Sequence, residues 1–166
     1  MQGYWQKPKE SAEAIDSEGW FHSGDIATID HEGFVFIIDR KKELIVLSNG
    51  KKISPQFIES RLCASTYISQ ALVIGDKHNF LTALIYPNHE ALKALKRFVD
   101  LNSFLEQECE FAMKDLARFE QVKRFFILPE EFSIENGLLT PSLKPKRKVI
   151  LERYQTAIES LYKEHS

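Results

Sequence analysis

Apolar residues along this chain fall into short runs rather than one long stripe. Phe34-Val35-Phe36-Ile37-Ile38 is β-branched and aromatic and reads as a buried strand. Before it, Trp20–Ile29 reads as a strand, joined to it through Asp30-His31-Glu32-Gly33. Leu44-Ile45-Val46-Leu47 is a further strand candidate, followed by a turn at Ser48-Asn49-Gly50-Lys51-Lys52, where Gly50 can take a positive φ. Ser54-Pro55 then opens a helix, with Ser as cap, Pro at the first position and Ile58 and Leu62 on one face. Ala71–Gly75 and Phe80–Tyr86 flank Asp76-Lys77-His78-Asn79 as a hairpin. Asn88 caps a helix to about Phe98. Ser103-Phe104-Leu105-Glu106 is a capping box opening a helix to about Phe119. Val122–Leu128 is a strand stopped by Pro129. From Pro145, a last helix carries Ile150, Tyr154, Ile158 and Leu161 as a stripe.

Strands and helices mix without regular βαβ units, so the expected fold class is α+β: short antiparallel sheets with packed helices. Residues 1–19 are polar and turn-rich and read as a surface excursion. A two-stranded unit cannot make its own core. Residues 1–39 are therefore expected to be the tail of a larger upstream domain, and 40–166 a separate small domain.

Composition narrows the function classes. The 166 residues are 43% hydrophobic with twelve Phe, enough for a core. The net charge of −2 does not suggest a dedicated nucleic-acid binder. Cys63 and Cys109 have no metal-like spacing and read as reduced structural thiols. The five histidines show no ligand spacing either. No apolar run nears the roughly 18 residues of a membrane span, and no signal peptide is visible. The expected location is cytoplasmic, with peripheral membrane contact left open.

Four local features carry candidate chemistry. In Gly19-Trp20-Phe21-His22-Ser23-Gly24-Asp25, the Asp can accept hydrogen bonds from two sugar hydroxyls, or simply satisfy turn amides. In Ile38-Asp39-Arg40-Lys41-Lys42-Glu43-Leu44-Ile45, charges sit between two apolar runs, either as a linker with a guanidinium fork or as a solvated loop. Ser48–Pro55 sets a Gly turn and two lysines before a helix, able to approach a phosphorylated ligand or to be a plain turn. In Asn136-Gly137-Leu138-Leu139-Thr140-Pro141-Ser142-Leu143-Lys144-Pro145-Lys146-Arg147, cations crowd the start of the last helix. Each opposes the helix dipole at about 0.3–1 kcal/mol when exposed. A compensating anion, a tolerated patch or a nonspecific polyanion site would each account for them.

Taken in this order, the four features resemble the adenylate-forming superfamily of acyl-CoA synthetases, luciferases and peptide-synthetase adenylation domains. Ser23 stands where the family's Thr-Gly-Asp motif usually has Thr, and Leu143 where many relatives have Gly before the final lysine. Ala117–Phe125 with Leu128-Pro129-Glu130-Glu131-Phe132 resembles the long-chain fatty acid–CoA ligases in particular. The resemblance implies ligation of a fatty acid to coenzyme A through acyl-AMP, using ATP with Mg²⁺. It implies Lys144 as adenylation lysine, with Lys146 the other reading of the motif; Arg147, three residues on, favours Lys144. It implies Asp25 and Arg40 on the nucleotide, Lys42 at the hinge, and Gly50, Lys51 and Lys52 on a loop facing CoA or nucleotide. No dedicated metal cage is expected. The family's phosphate loop and acyl pocket are not in these residues, so the implied partner is an upstream domain, and residues 1–166 alone are expected to be inactive. An acyl-ACP or aryl-CoA ligase of the same superfamily, or a non-catalytic interaction module, are the alternatives.

Overall fold

A computed structural model describes residues 2–95 and 100–163, apart from the side chain of Asp39. The chain divides into two compact units, Met1–Leu44 and Ile45–Ser166.

The first unit holds helix α1 (Pro8–Ala14) and strands β1 (Asp25–Ile29) and β2 (Val35–Arg40). The sequence pattern did not announce α1. Its start fits local chemistry, with Pro in the first turn and Glu10 at the positive end of the helix dipole. The expected strand from Trp20 is regular only from Asp25. β1 and β2 pair antiparallel, with a bulge at Ile26/Ala27. Asp30 makes their turn, its Oδ1 accepting from the N–H of Glu32 (2.9 Å) and of Phe34 (3.0 Å). The expectation that Phe34–Ile38 is a buried strand is corrected here. Within this unit Phe34, Val35, Phe36, Ile37 and Ile38 are all exposed, Ile37 at 69%. A two-stranded ribbon has no opposing layer to cover its faces.

The second unit has a real core. β3 (Ile45–Val46) and β4 (Lys52–Ile53) form a short antiparallel pair. A three-stranded sheet follows in the order β5-β6-β7, from β5 (Ile68–Ile74), β6 (Leu81–Pro87) and β7 (Val122–Ile127). β5 and β6 are the expected hairpin, whereas β7 joins parallel to β6, so the sheet is mixed rather than purely antiparallel. Alternation along the strands separates two cores. Val73, Ala83 and Ile85 pack with Ile58 and Leu62 of α2 (Pro55–Cys63) and with Leu105, Cys109 and Met113 of α4 (Leu101–Ala112) or its cap. Leu72 and Leu84 pack with Phe132, Leu138, Leu139, Ile150 and Ile158. Burial pushes the Cys109 thiol up to about 12, and both cysteines are free.

Helix boundaries follow caps. Ser54 Oγ accepts from Phe57 N–H at 3.2 Å, as expected of the α2 cap. Helix α3 (His89–Ala94) is capped by Asn88; its expected continuation to Phe98 lies outside the described residues. α4 starts earlier than expected, because Asp100, not Ser103, caps it: Asp100 Oδ2 accepts from both the N–H (2.9 Å) and the Oγ (2.7 Å) of Ser103. These bonds, that of the side chain first, hold the Asp100 carboxyl below its ordinary range. α4 also stops at Ala112 rather than Phe119. The following segment folds back, with the Gln121 amide donating to the Leu116 carbonyl at 3.1 Å. The single last helix is two, α5 (Arg147–Arg153) and α6 (Gln155–Lys163), broken at Tyr154 (φ −103°, ψ 17°). The apolar stripe still works across the break, since Ile150 and Ile158 are both buried in the second core.

Candidate functional site

Asp25 and Arg40 are far apart in sequence but are cross-strand partners at the open end of the β1–β2 ribbon. Arg40 Nε stands 3.2 Å from Asp25 Oδ1. Gly24, with φ +76°, turns the chain into β1, and its carbonyl accepts from Lys41 N–H at 2.7 Å. Ser23 Oγ accepts from Asp25 N–H at 3.2 Å. A carboxylate and a guanidinium thus sit side by side on a fixed backbone, one able to accept from hydroxyls and the other to donate to oxygens. Beyond them Arg40–Glu43 form a turn, Glu43 N–H donating to Arg40 C=O at 2.9 Å, with Lys42 exposed on it. Within the same unit a cleft of about 450 Å³ is lined by Tyr4, Glu10, Phe21, His22, Arg40 and Lys42. On this cleft His22 Nε2 lies 3.1 Å from Asp16 Oδ2. The Asp16 carboxyl is held below its ordinary range, first by the N–H of Trp20.

In the second unit Gly50 and Lys51 sit on the connection between β3 and β4, and Lys52 is the first residue of β4. Gly50 has φ +79° and its N–H donates to Leu47 C=O at 2.8 Å. Asn49 Oδ1 accepts from Lys51 N–H at 3.0 Å. Lys51 Nζ lies 5.2 Å from the Phe119 ring centre, a cation–π contact that steadies its ammonium. Lys52 alternates with buried Ile53 and so is exposed.

Lys144 ends a tight turn. Leu143 N–H donates to Thr140 C=O and Thr140 N–H to Lys144 C=O, both at 2.8 Å, above a bridge between Leu139 and Pro145. Thr140 Oγ1 also accepts from Lys144 N–H at 3.0 Å. Leu143 has φ +59°. Leu143 thus occupies, under strain, a left-handed position that suits the glycine which the resemblance implies there. Lys144 and Lys146 are both exposed, Lys146 at the N-cap of α5.

Arg147 is different, and sequence reading missed why. Its NH1 donates to Glu59 Oε1 at 2.7 Å and its NH2 to Val73 C=O at 2.6 Å. Glu59 Oε1 also accepts from Val73 N–H at 2.8 Å. The two side chains satisfy the outward backbone of edge strand β5. Of the cations crowding the helix start, Arg147 thus has its compensating anion within the protein. Glu59 lay in an ordinary helix pattern, and nothing local signals a partner so distant in sequence. Among the described residues no group of three or more His, Cys, Asp or Glu side chains is arranged to hold a metal. Among them, too, no helix is long and apolar enough to cross a membrane.

The α+β unit has the fold of the C-terminal domain of adenylate-forming enzymes. The chain belongs to the AMP-binding enzyme C-terminal domain family, whose model matches residues 42–166. It is 35% identical to long-chain-fatty-acid–CoA ligase FadD15 of Mycobacterium tuberculosis, over 96% of this chain and 29% of that protein. It is 37% identical to long-chain-fatty-acid–CoA ligase 5 of Rattus norvegicus, over 98% of this chain and 26% of that protein. The chain thus spans less than a third of the length of these relatives. Among solved structures it is similar to the adenylation domain of a carboxylic acid reductase from Segniliparus rugosus in complex with AMP and a co-purified carboxylic acid (TM-score 0.85, 27% identity, 99% of this chain and 26% of that one). It is also similar to the adenylation domain of a Mycobacterium chelonae carboxylate reductase (TM-score 0.84, 25% identity, 96% and 26%).

Proposed function

We propose that this chain is the C-terminal portion of an ATP-dependent long-chain fatty acid–CoA ligase, which converts fatty acid, ATP and CoA to acyl-CoA, AMP and pyrophosphate through acyl-AMP. The observation that carries this reading is the Asp25–Arg40 pair, formed across one strand register from two separate sequence motifs. Asp25 accepts from the ribose hydroxyls of the nucleotide and Arg40 assists. Lys144 reaches the substrate carboxylate and the α-phosphate. Both reactants are anionic, so an ammonium on a rigid turn serves the step by neutralising and aligning them. Lys42 is the hinge, and residues 40–166 swing as a mobile domain against a larger body to which residues 1–39 belong. One orientation presents Lys144, and the other brings Gly50, Lys51 and Lys52 to the CoA route. Mg²⁺ enters with the ATP phosphates.

The upstream partner domain is supported by the share of the relatives that this chain spans, and by the apolar exposure of the ribbon, for which a covering layer in the complete enzyme is the simplest use. The chain by itself is expected to be inactive. The likeness to carboxylate reductase adenylation domains favours one second reading, a superfamily member that passes its acyl group to another acceptor.

Acid-dependent ATP–pyrophosphate exchange in the complete enzyme, native against Lys144→Ala, tests the reading. Exchange that collapses in the variant, with thioester formation from supplied acyl-AMP intact, is the expected result. Exchange that survives moves the role to Lys146. A native enzyme without exchange on any carboxylic acid overturns the proposal.

A further inference from the structure

The loop bearing Gly50 and Lys51 is closed by its own strands, Leu47 N–H donating to Lys51 C=O at 3.0 Å, but that two-residue pair is short and is held by a second element. It is also tied to the turn between β5 and β6. Val46 N–H donates to Asp76 Oδ1 (3.2 Å), Lys77 N–H to Val46 C=O (2.8 Å), and Ser48 N–H to His78 C=O (2.9 Å). Ser48 Oγ donates to Asn79 Oδ1. That turn is in its turn held by the C-terminal helix. The His78 ring lies flat on Tyr162 of α6, centroids 3.6 Å apart and planes within 6°. Tyr162 Oη accepts from Thr82 Oγ1 at 2.9 Å and lies 3.2 Å from Ile74 C=O, so both strands flanking the turn are tied to the same side chain.

From this chain of contacts we infer that His78 and Tyr162 are positioning residues for the proposed thioester-forming step: α6 sets the place of the Gly50 loop through the β5–β6 turn. The sequence pattern read His78 only as part of a hairpin turn and did not single out Tyr162. Their contacts end on the backbone of residues 46–48, whereas Lys144 is fixed separately by its own turn through Thr140. Removing the stack therefore loosens one lysine loop and leaves the other. The inference rests on the proposed role of the Gly50 loop.

The test measures both half-reactions in the complete enzyme for His78→Ala and His78→Phe. In His78→Ala, acyl transfer from supplied acyl-AMP to CoA is expected to fall roughly tenfold, mostly as a higher KM for CoA, because a loop displaced by about an ångström loses alignment. Pyrophosphate exchange is expected to stay within about twofold. His78→Phe, which keeps a flat ring on Tyr162, is expected to restore transfer. Equal loss in both half-reactions, or no loss in either, overturns the inference. Amide hydrogen exchange at residues 47–52 separates it from the reading beneath it. Faster exchange there in His78→Ala, with acyl transfer unchanged and also unchanged in Gly50→Val, upholds the brace and removes the loop from the reaction. Unchanged amide exchange overturns the brace itself.

Discussion

The turns at residues 48–51 and 140–144 solve the same backbone problem with different residues. Each presents lysine beside a residue with positive φ: Gly50 at +79° and Leu143 at +59°. At Gly50 an added Cβ would meet nothing within 4 Å, so space is not what glycine provides there. It provides a left-handed conformation without strain, in a loop whose place depends on a neighbouring turn. The 140–144 turn is closed locally by Thr140, and a bridged stem beneath it absorbs the strain of a leucine. Both turns carry the same pair of backbone bonds, since Leu47 N–H donates to Lys51 C=O at 3.0 Å and Gly50 N–H to Leu47 C=O at 2.8 Å; what sets the Gly50 loop apart is its further ties to the Asp76–Asn79 turn.

The largest expected effect separates the two turns by step. Lys144→Ala should lower pyrophosphate exchange by about 10²–10³-fold, the scale of losing a preorganised charge-stabilising group, with acyl transfer to CoA nearly unchanged. Next, Glu59→Ala should cost about 2–3 kcal/mol, read from urea unfolding, because it leaves Arg147 and the Val73 amide without their half-buried acceptor. Gly50→Val should cost about 1–2 kcal/mol through a β-branched residue at positive φ, and should impair acyl transfer more than exchange. If it impairs exchange equally, the two turns do not divide the reaction.

Alkaline pH sharpens the comparison on the side of the Gly50 loop. Burial pushes the Tyr162 hydroxyl up from its ordinary value, the bond from Thr82 partly opposing the shift. A folded value above the unfolded one contributes stability that is present below about pH 10 and is lost as pH rises beyond it. Urea midpoints at about pH 9 and 11 should therefore diverge less in Tyr162→Phe than in the native chain. The smallest effect belongs to Leu143→Gly. Relief of left-handed strain and the greater entropy of the unfolded glycine chain nearly offset each other, so stability should move by less than about 1 kcal/mol. A larger loss would mean that the Leu143 side chain holds the turn.

Much of the fold was legible because its signals are local. Ser54-Pro55 named its own helix start and the runs around Asp76–Asn79 named a hairpin, whereas the division of the strand residues between two cores emerged only in the structure. Where two local signals competed, as at Asp100 and Ser103, the charged acceptor won and the boundary shifted. The Phe34–Ile38 run misled because apolar composition records what a strand is made to bury, not whether a layer lies on it within its own unit.

By itself the sequence determined the family and the order of its motifs, since the glycines, prolines and charged residues of those motifs act within a few residues of one another. Only the tertiary structure decided that β7 runs parallel to β6, that Arg147 is held by Glu59 rather than left for a ligand, and that Tyr162 braces the turn beneath the Gly50 loop. Those are contacts between groups tens of residues apart. Their energy depends on the chain having closed long loops first, and no local pattern records which distant partner will be there when it does.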